Sequence, residues 1–205
     1  MKLKRDFYNR DTLIVAEELL GKTLVHNING KVLKGKIVET EAYLGVIDKA
    51  AHSYGGKRTP RVEIMYGFPG RAYIYIIYGM YYLLNVVTKE EGIPEAVLIR
   101  GIQPLEGIGE MALNRYKKSL DELTKKQIIN LTNGPGKLSK AMNLEKSLNG
   151  EDLCGDRLYI EEGSNNKFDI ITDKRIGIDY AEEAKDFPFR FYIEGNKYVS
   201  KILKK

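Results

Sequence analysis

The sequence predicts a single mixed α/β domain of the α+β kind over residues 1–205, a curved, mainly antiparallel β-sheet surrounded by helices. Three observations predict it. Strand-like runs are joined by short turn signals, above all Asn29-Gly30 and Gly79-Met80. Stretches of helical pattern stand before and between these runs. No internal repeat, low-complexity tract or linker divides the chain.

Taken in order, Asn9 to Gly21 forms a helix, with Asn9 or Asp11 as N-cap and Gly21 as its stop. Thr23 to Ile28 and Lys31 to Glu41 are strands flanking the Asn29-Gly30 turn. If the extended conformation persists, Ile37, Glu39, Glu41 and Tyr43 share a face. The glycine- and cation-rich stretch from Asp48 through Arg71 is a loop whose backbone can approach a phosphate closely. Ala72 to Asn85 holds five of the fourteen tyrosines and forms a hairpin, with Tyr73, Tyr75 and Ile77 on one face and Tyr78 and Met80 beside an exposed turn. Glu95 to Gln103 is an apolar strand carrying Arg100. Pro104 to Tyr116 and Leu120 to Leu131 suggest two helices, and Asn133-Gly-Pro-Gly-Lys137 opens a third. Short strands follow at Arg157 to Glu161, Phe168 to Thr172 and Phe189 to Glu194.

Composition excludes several classes. One cysteine, Cys154, rules out an intramolecular disulfide and a cysteine-based zinc site, and the two histidines stand too far apart for a histidine-rich metal site. No apolar run approaches the ~20 residues of a membrane span, and Met1-Lys-Leu-Lys-Arg-Asp-Phe lacks the apolar core of a signal peptide, so a soluble cytoplasmic protein is expected. The 33 basic against 28 acidic residues give +5, compatible with a polyanionic partner and equally with a Lys/Glu-rich surface.

The chemistry concentrates at a few positions. On spacing alone, Glu39 and Glu41 describe solvated glutamates on an edge strand. Partial burial would instead raise the pKa of one and make a general base. Arg100, set between apolar neighbours, needs a carboxylate partner, Glu41 or Glu39. His52 alone describes a structural hydrogen-bonder, and the tyrosine run describes core packing as well as stacking.

Several blocks change those balances together: Ile37-Val-Glu-Thr-Glu-Ala-Tyr-Leu-Gly45, Ala51-His-Ser53 with Thr59-Pro-Arg61, Tyr73-Ile-Tyr-Ile-Ile-Tyr-Gly-Met-Tyr81, Asn85, Val97-Leu-Ile-Arg100, Leu131-Thr-Asn-Gly-Pro-Gly-Lys137 and Arg175-Ile-Gly-Ile178. In this order the chain resembles the alkyladenine (3-methyladenine, methylpurine) DNA glycosylases in their compact bacterial or archaeal form. The resemblance implies a monofunctional glycosylase without metal or other cofactor, acting as a monomer on double-stranded DNA that contains a damaged purine. It implies Glu41 as the base that activates water, with Arg100 holding that water and keeping Glu41 ionised. Tyr43, His52 and Tyr75 would line the pocket, Tyr73 would support His52, and Asn85 would disfavour guanine. Tyr78 would wedge into the gap left by the flipped nucleotide beside Met80, while Lys57, Thr59, Arg61 and Lys137 would face phosphates. A lyase would need an amine in the pocket, and no lysine is expected there; only Lys36 keeps that activity open. A non-catalytic protein that binds and wedges damaged DNA is the alternative. Tyr54 and Asp179 depart from the family's pattern, the first where an arginine often follows the His-Ser pair.

Overall fold

The computed structural model describes residues 1–164 and 167–202. Asn29 and Gly30 both adopt positive φ, 49° and 82°, the mirror-image turn that matches strand twist. They join β1 (Thr23–Ile28) to β2 (Lys31–Tyr43). Tyr78 and Gly79 do the same, at 52° and 66°, between β3 (Ala72–Ile77) and β4 (Tyr81–Thr88). The remaining strands are β5 (Glu95–Glu106), β6 (Leu158–Glu161), β7 (Ile170–Asp173) and β8 (Arg190–Ile193). They form one antiparallel sheet in the order β3-β4-β5-β2-β1-β6, with β8 paired to both β2 and β7.

The curl of this sheet originates in β2. One edge of β2 pairs with β5, while the other gives Lys31–Lys36 to β1 and Glu39–Glu41 to β8. Between those halves the register against β5 shifts on both sides of Glu39, and such irregularities bend a strand and turn its side chains. The face expected for Ile37 is corrected by this shift: Ile37 and Val38 both enter the main core, while Glu39 and Glu41 turn to Arg100.

Among the described residues there are five short α-helices, α1 (Arg5–Tyr8), α2 (Thr12–Glu18), α3 (Ile108–Tyr116), α4 (Lys125–Ile129) and α5 (Pro135–Ala141), of which α1, α2, α3 and α5 pack on strands of the sheet. Asp11 caps α2, its carboxylate accepting from the backbone of Leu13 at 3.0 Å. The expected helix from Pro104 begins only at Ile108, because Pro104–Glu106 continue β5 and Gly107 breaks the chain with a φ of 71°. The expected helix Leu120–Leu131 is split into a single turn at Leu120–Glu122 and α4. Two caps compete there: the Glu122 carboxylate accepts from Ser119 N at 2.7 Å, and Thr124 and Gln127 cap one another's backbone N–H groups. Leu19, Leu24, Leu33, Ile99, Ile102 and Met111 are fully buried in the main core, each contributing about 1.5–3 kcal/mol of apolar burial.

Candidate active site

Both glutamates of β2 are fully buried, which replaces the solvated edge-strand reading, and Arg100 is only 6% exposed. Arg100 pairs with both: Nε donates to Glu39 Oε1 at 3.1 Å and an NH1 proton goes to Glu41 Oε2 at 3.2 Å. Burial opposes the guanidinium charge, but Glu41 and Glu39 outweigh it and raise the arginine's pKa above its usual value. Glu41 has two further donors. The Tyr43 hydroxyl reaches Oε2 at 2.9 Å, and the backbone N–H of Ile176 reaches Oε1 at 2.7 Å. An ionised carboxylate has about four acceptor positions, so three donors leave about one for a water.

Tyr43, Arg100 and Ile176 all line a cleft of about 490 Å³, and Glu41 lies directly behind them. Burial, then the charge of Glu41, pushes the Tyr43 phenol well above its usual range, so it stays a donor.

The aromatic hairpin supplies a second wall. As expected from strand alternation, Tyr73, Tyr75 and Ile77 line the cleft while Ile74 turns into the core. His52 Nδ1 and the Tyr73 hydroxyl share a hydrogen bond of 2.8 Å, and the His52 ring meets Tyr75 edge-on with centroids 4.6 Å apart. Burial, then the positive charges of Arg61 and Lys57, lowers the His52 pKa from 6.5 to about 4. The imidazole is therefore neutral near pH 7 and can offer either a donor or an acceptor. Burial pushes Tyr73 up to about 12 and raises Tyr75 as well, so both phenols remain protonated. Asn85 sits opposite Tyr73 across β3 and β4, its amide nitrogen donating to the Tyr73 carbonyl at 3.1 Å.

At the mouth of the cleft, Tyr78 is 81% and Met80 52% exposed. Arg61 is exposed beside the cleft, its guanidinium 5.2 Å from the Tyr75 ring centroid. Lys57 is exposed and Thr59 half-buried on the same loop, and neither lines the cleft. The expectation that no lysine reaches the pocket is corrected. Lys137 lines the cleft because the start of α5 packs on Tyr81 of β4, and its Nζ donates to Asn130 Oδ1 at 2.7 Å and Asn133 Oδ1 at 2.8 Å. Lys36 lies away from the cleft, on β2 opposite Thr23 and Gln103. Among the described residues, no group of three His, Cys, Asp or Glu side chains could hold a metal ion.

Sequence reasoning missed four contributors. Arg175 donates to the Asp48 carboxylate and to the carbonyls of Ala42 and Ala184, which fixes the turn that carries the Ile176 N–H. Arg190 donates to Glu39 Oε1 at 3.1 Å and to Asp173 Oδ2 at 2.8 Å. Arg190 carried the same signal as Arg100, a cation inside an apolar strand. Asp48 stands in a polar loop and carried none. Tyr180, 67% exposed, adds another ring to the cleft wall.

An aromatic cleft with a multiply hydrogen-bonded carboxylate behind its floor fits hydrolysis at a planar, heterocyclic leaving group. The comparisons with other proteins agree with that class. A model of the family described as Methylpurine-DNA glycosylase (MPG) matches residues 6–197. A relative from Desulfitobacterium hafniense (strain Y51), named "Putative 3-methyladenine DNA glycosylase", is 64% identical over 199 residues, which is 97% of this chain and 98% of the relative. Relatives of the same name are 62% identical over 205 residues in Clostridium acetobutylicum, covering 100% of both chains, and 60% identical over 202 residues in Clostridium tetani, covering 98% of this chain and 100% of the relative. The chain belongs to the methylpurine-DNA glycosylase family, and so to the DNA repair glycosylases.

Proposed function

We propose that the protein, acting as a monomer, extrudes an alkylated or deaminated purine from double-stranded DNA and hydrolyses its N-glycosidic bond, leaving an abasic site without cutting the strand. The observation that carries this reading is the coordination of Glu41: three donors hold the carboxylate and about one acceptor position remains for a water. The ionised carboxylate takes the water's proton as oxygen bonds to C1′, and the C1′–N bond electrons leave with the base. Its negative charge also stabilises the cationic character that develops on the sugar.

The aromatic walls support recognition. Extrusion costs about a few kcal/mol, and stacking on aromatic rings returns about 1–3 kcal/mol per base. An N-alkylated purine is cationic, which strengthens its contact with tyrosine faces and lets it leave without an acid. A neutral base such as hypoxanthine needs a proton from an acid or from water. His52, neutral at working pH, contacts the extruded base by hydrogen bonds, and Asn85 disfavours guanine by opposing its exocyclic amine. Tyr78, beside Met80, fills the vacated stack. Lys57, Thr59, Arg61 and Lys137 contact phosphates, giving affinity without sequence choice.

The test is incubation with a duplex carrying one 3-methyladenine, and another carrying hypoxanthine, in EDTA. Free base and an intact abasic strand are expected, and Glu41→Gln lowers the single-turnover rate by about 10²–10⁴-fold while binding persists. Release at the native rate by Glu41→Gln overturns the base assignment. Tight binding of both duplexes by the unmodified protein without any release would make it a damage-binding protein.

A further inference from the structure

The two glutamates of β2 differ in what holds them. Glu39 accepts from Arg100 Nε at 3.1 Å, Arg190 NH1 at 3.1 Å and Ser200 Oγ at 2.8 Å on Oε1, and from Ser200 N at 2.6 Å on Oε2. Three donors crowd Oε1 and one holds Oε2, so Glu39 is tied to Arg100, Arg190 and Ser200 at once. Its partners are locked in turn. Arg190, fully buried, spends Nε on the Lys174 carbonyl at 2.8 Å, NH1 on Glu39 and on the Lys201 carbonyl at 2.9 Å, and NH2 on Asp173 at 2.8 Å. Ser200 Oγ also accepts from Arg100 NH2 at 3.3 Å. The segment carrying Ser200 lies close on β5, where a Cβ on Gly101 would stand 2.7 Å from the Tyr198 carbonyl oxygen.

Arg100 therefore has one nitrogen toward Glu41 and the other two held by Glu39 and Ser200. A guanidinium left free beside a single carboxylate prefers a two-pronged pair. That pair would take both oxygens of Glu41 and displace Tyr43 or Ile176. We infer that Glu39, Arg190 and Ser200 are positioning residues that hold the Arg100 guanidinium to a single contact with Glu41, keeping one acceptor position of the base open. This inference rests on the assignment of Glu41 as base.

Ser200→Ala is the first test, because it deletes one hydroxyl and keeps the backbone N–H on Glu39. Single-turnover excision of 3-methyladenine is expected to fall by about tenfold, the equivalent of one charge-assisted hydrogen bond. Duplex binding should be unchanged. Glu39→Gln is the second test, read as single-turnover rate against duplex affinity. It weakens the hold on Arg100 Nε and frees the guanidinium for both oxygens of Glu41, so the rate falls by at least about tenfold while affinity stays within about twofold. A merely structural glutamate would lower stability and leave the rate of the folded protein in place.

A rate within twofold of the unmodified protein for Ser200→Ala or for folded Glu39→Gln overturns the inference. Glu41→Gln in the same assay separates the two failures. If it is inactive while Ser200→Ala is unaffected, only the positioning role is lost. If Glu41→Gln is active, the base assignment falls.

Discussion

Replacing Tyr43 with phenylalanine removes one oxygen atom and keeps the ring. That oxygen donates to Glu41 Oε2 at 2.9 Å and is one of three donors to the carboxylate. A hydrogen bond to a charged group is worth about 1.5–3 kcal/mol. Without it two donors hold the carboxylate in place of three, and base release at pH 7 falls by about 10–150-fold. The ring itself stays in place, because the Arg175 guanidinium lies 4.8 Å from its centroid on one side of the cleft wall. Affinity for the damaged duplex should therefore hold within about twofold, since the stacking surface is intact. The assay is single-turnover release of 3-methyladenine at pH 7 with enzyme in excess, the abasic product being read by alkaline strand cleavage. A rate within twofold of the unmodified protein would refute the coordination argument for Glu41. A large loss of duplex binding would refute the assignment of the ring as a stacking surface.

Tyr78→Ala should leave the melting temperature unchanged, since the side chain is 81% exposed, and weaken damaged-duplex binding by about 1–3 kcal/mol, measured by fluorescence anisotropy. The folded state holds His52 neutral, with a pKa of about 4 against 6.5 when unfolded. The unfolded chain therefore binds the extra proton between those values, and stability is shed as pH falls from about 6.5 toward 4. The effect is about 2–3 kcal/mol for this partly buried ring. Urea unfolding at pH 7 and pH 5 checks it, with His52→Gln expected to show the smaller drop. Lys137 is the cleft lysine whose amine could attack an abasic aldehyde, and burial, then Arg115, lowers its pKa. Its Nζ is held by two amide oxygens, so borohydride trapping of protein on abasic DNA should yield no covalent adduct. An adduct that Lys137→Ala abolishes would refute monofunctional chemistry.

The two hairpins in the first half of the chain were legible because the Asn29-Gly30 turn and the alternating tyrosines are local signals. The same alternation places Tyr73 and Tyr75 on one wall. What was not legible arose from pairings between distant residues. The register shift at Glu39, which sends Ile37 into the core, is imposed by β5 and β8 together, and nothing within Ile37-Val-Glu-Thr-Glu41 announces it. The helix boundaries at Ile108 and Lys125 failed for a different reason. Propensity favoured helices at Pro104–Tyr116 and Leu120–Leu131, but strand pairing of Pro104 with Gly35 and two competing caps took precedence. Lys137 was assigned to phosphate from its place in the Asn133–Lys137 turn, and only the packing of α5 against Tyr81 revealed that it lines the cleft.

The bond between Ser200 and Glu39 joins residues 161 positions apart. A chain emerging from the ribosome can form the β1–β2 hairpin early, since its partners are near neighbours. The constellation around Glu41 has to wait until synthesis has passed Arg175, Arg190 and Ser200. A partly made chain thus carries the tyrosine hairpin before the donors that hold Glu39 and Glu41 are in place.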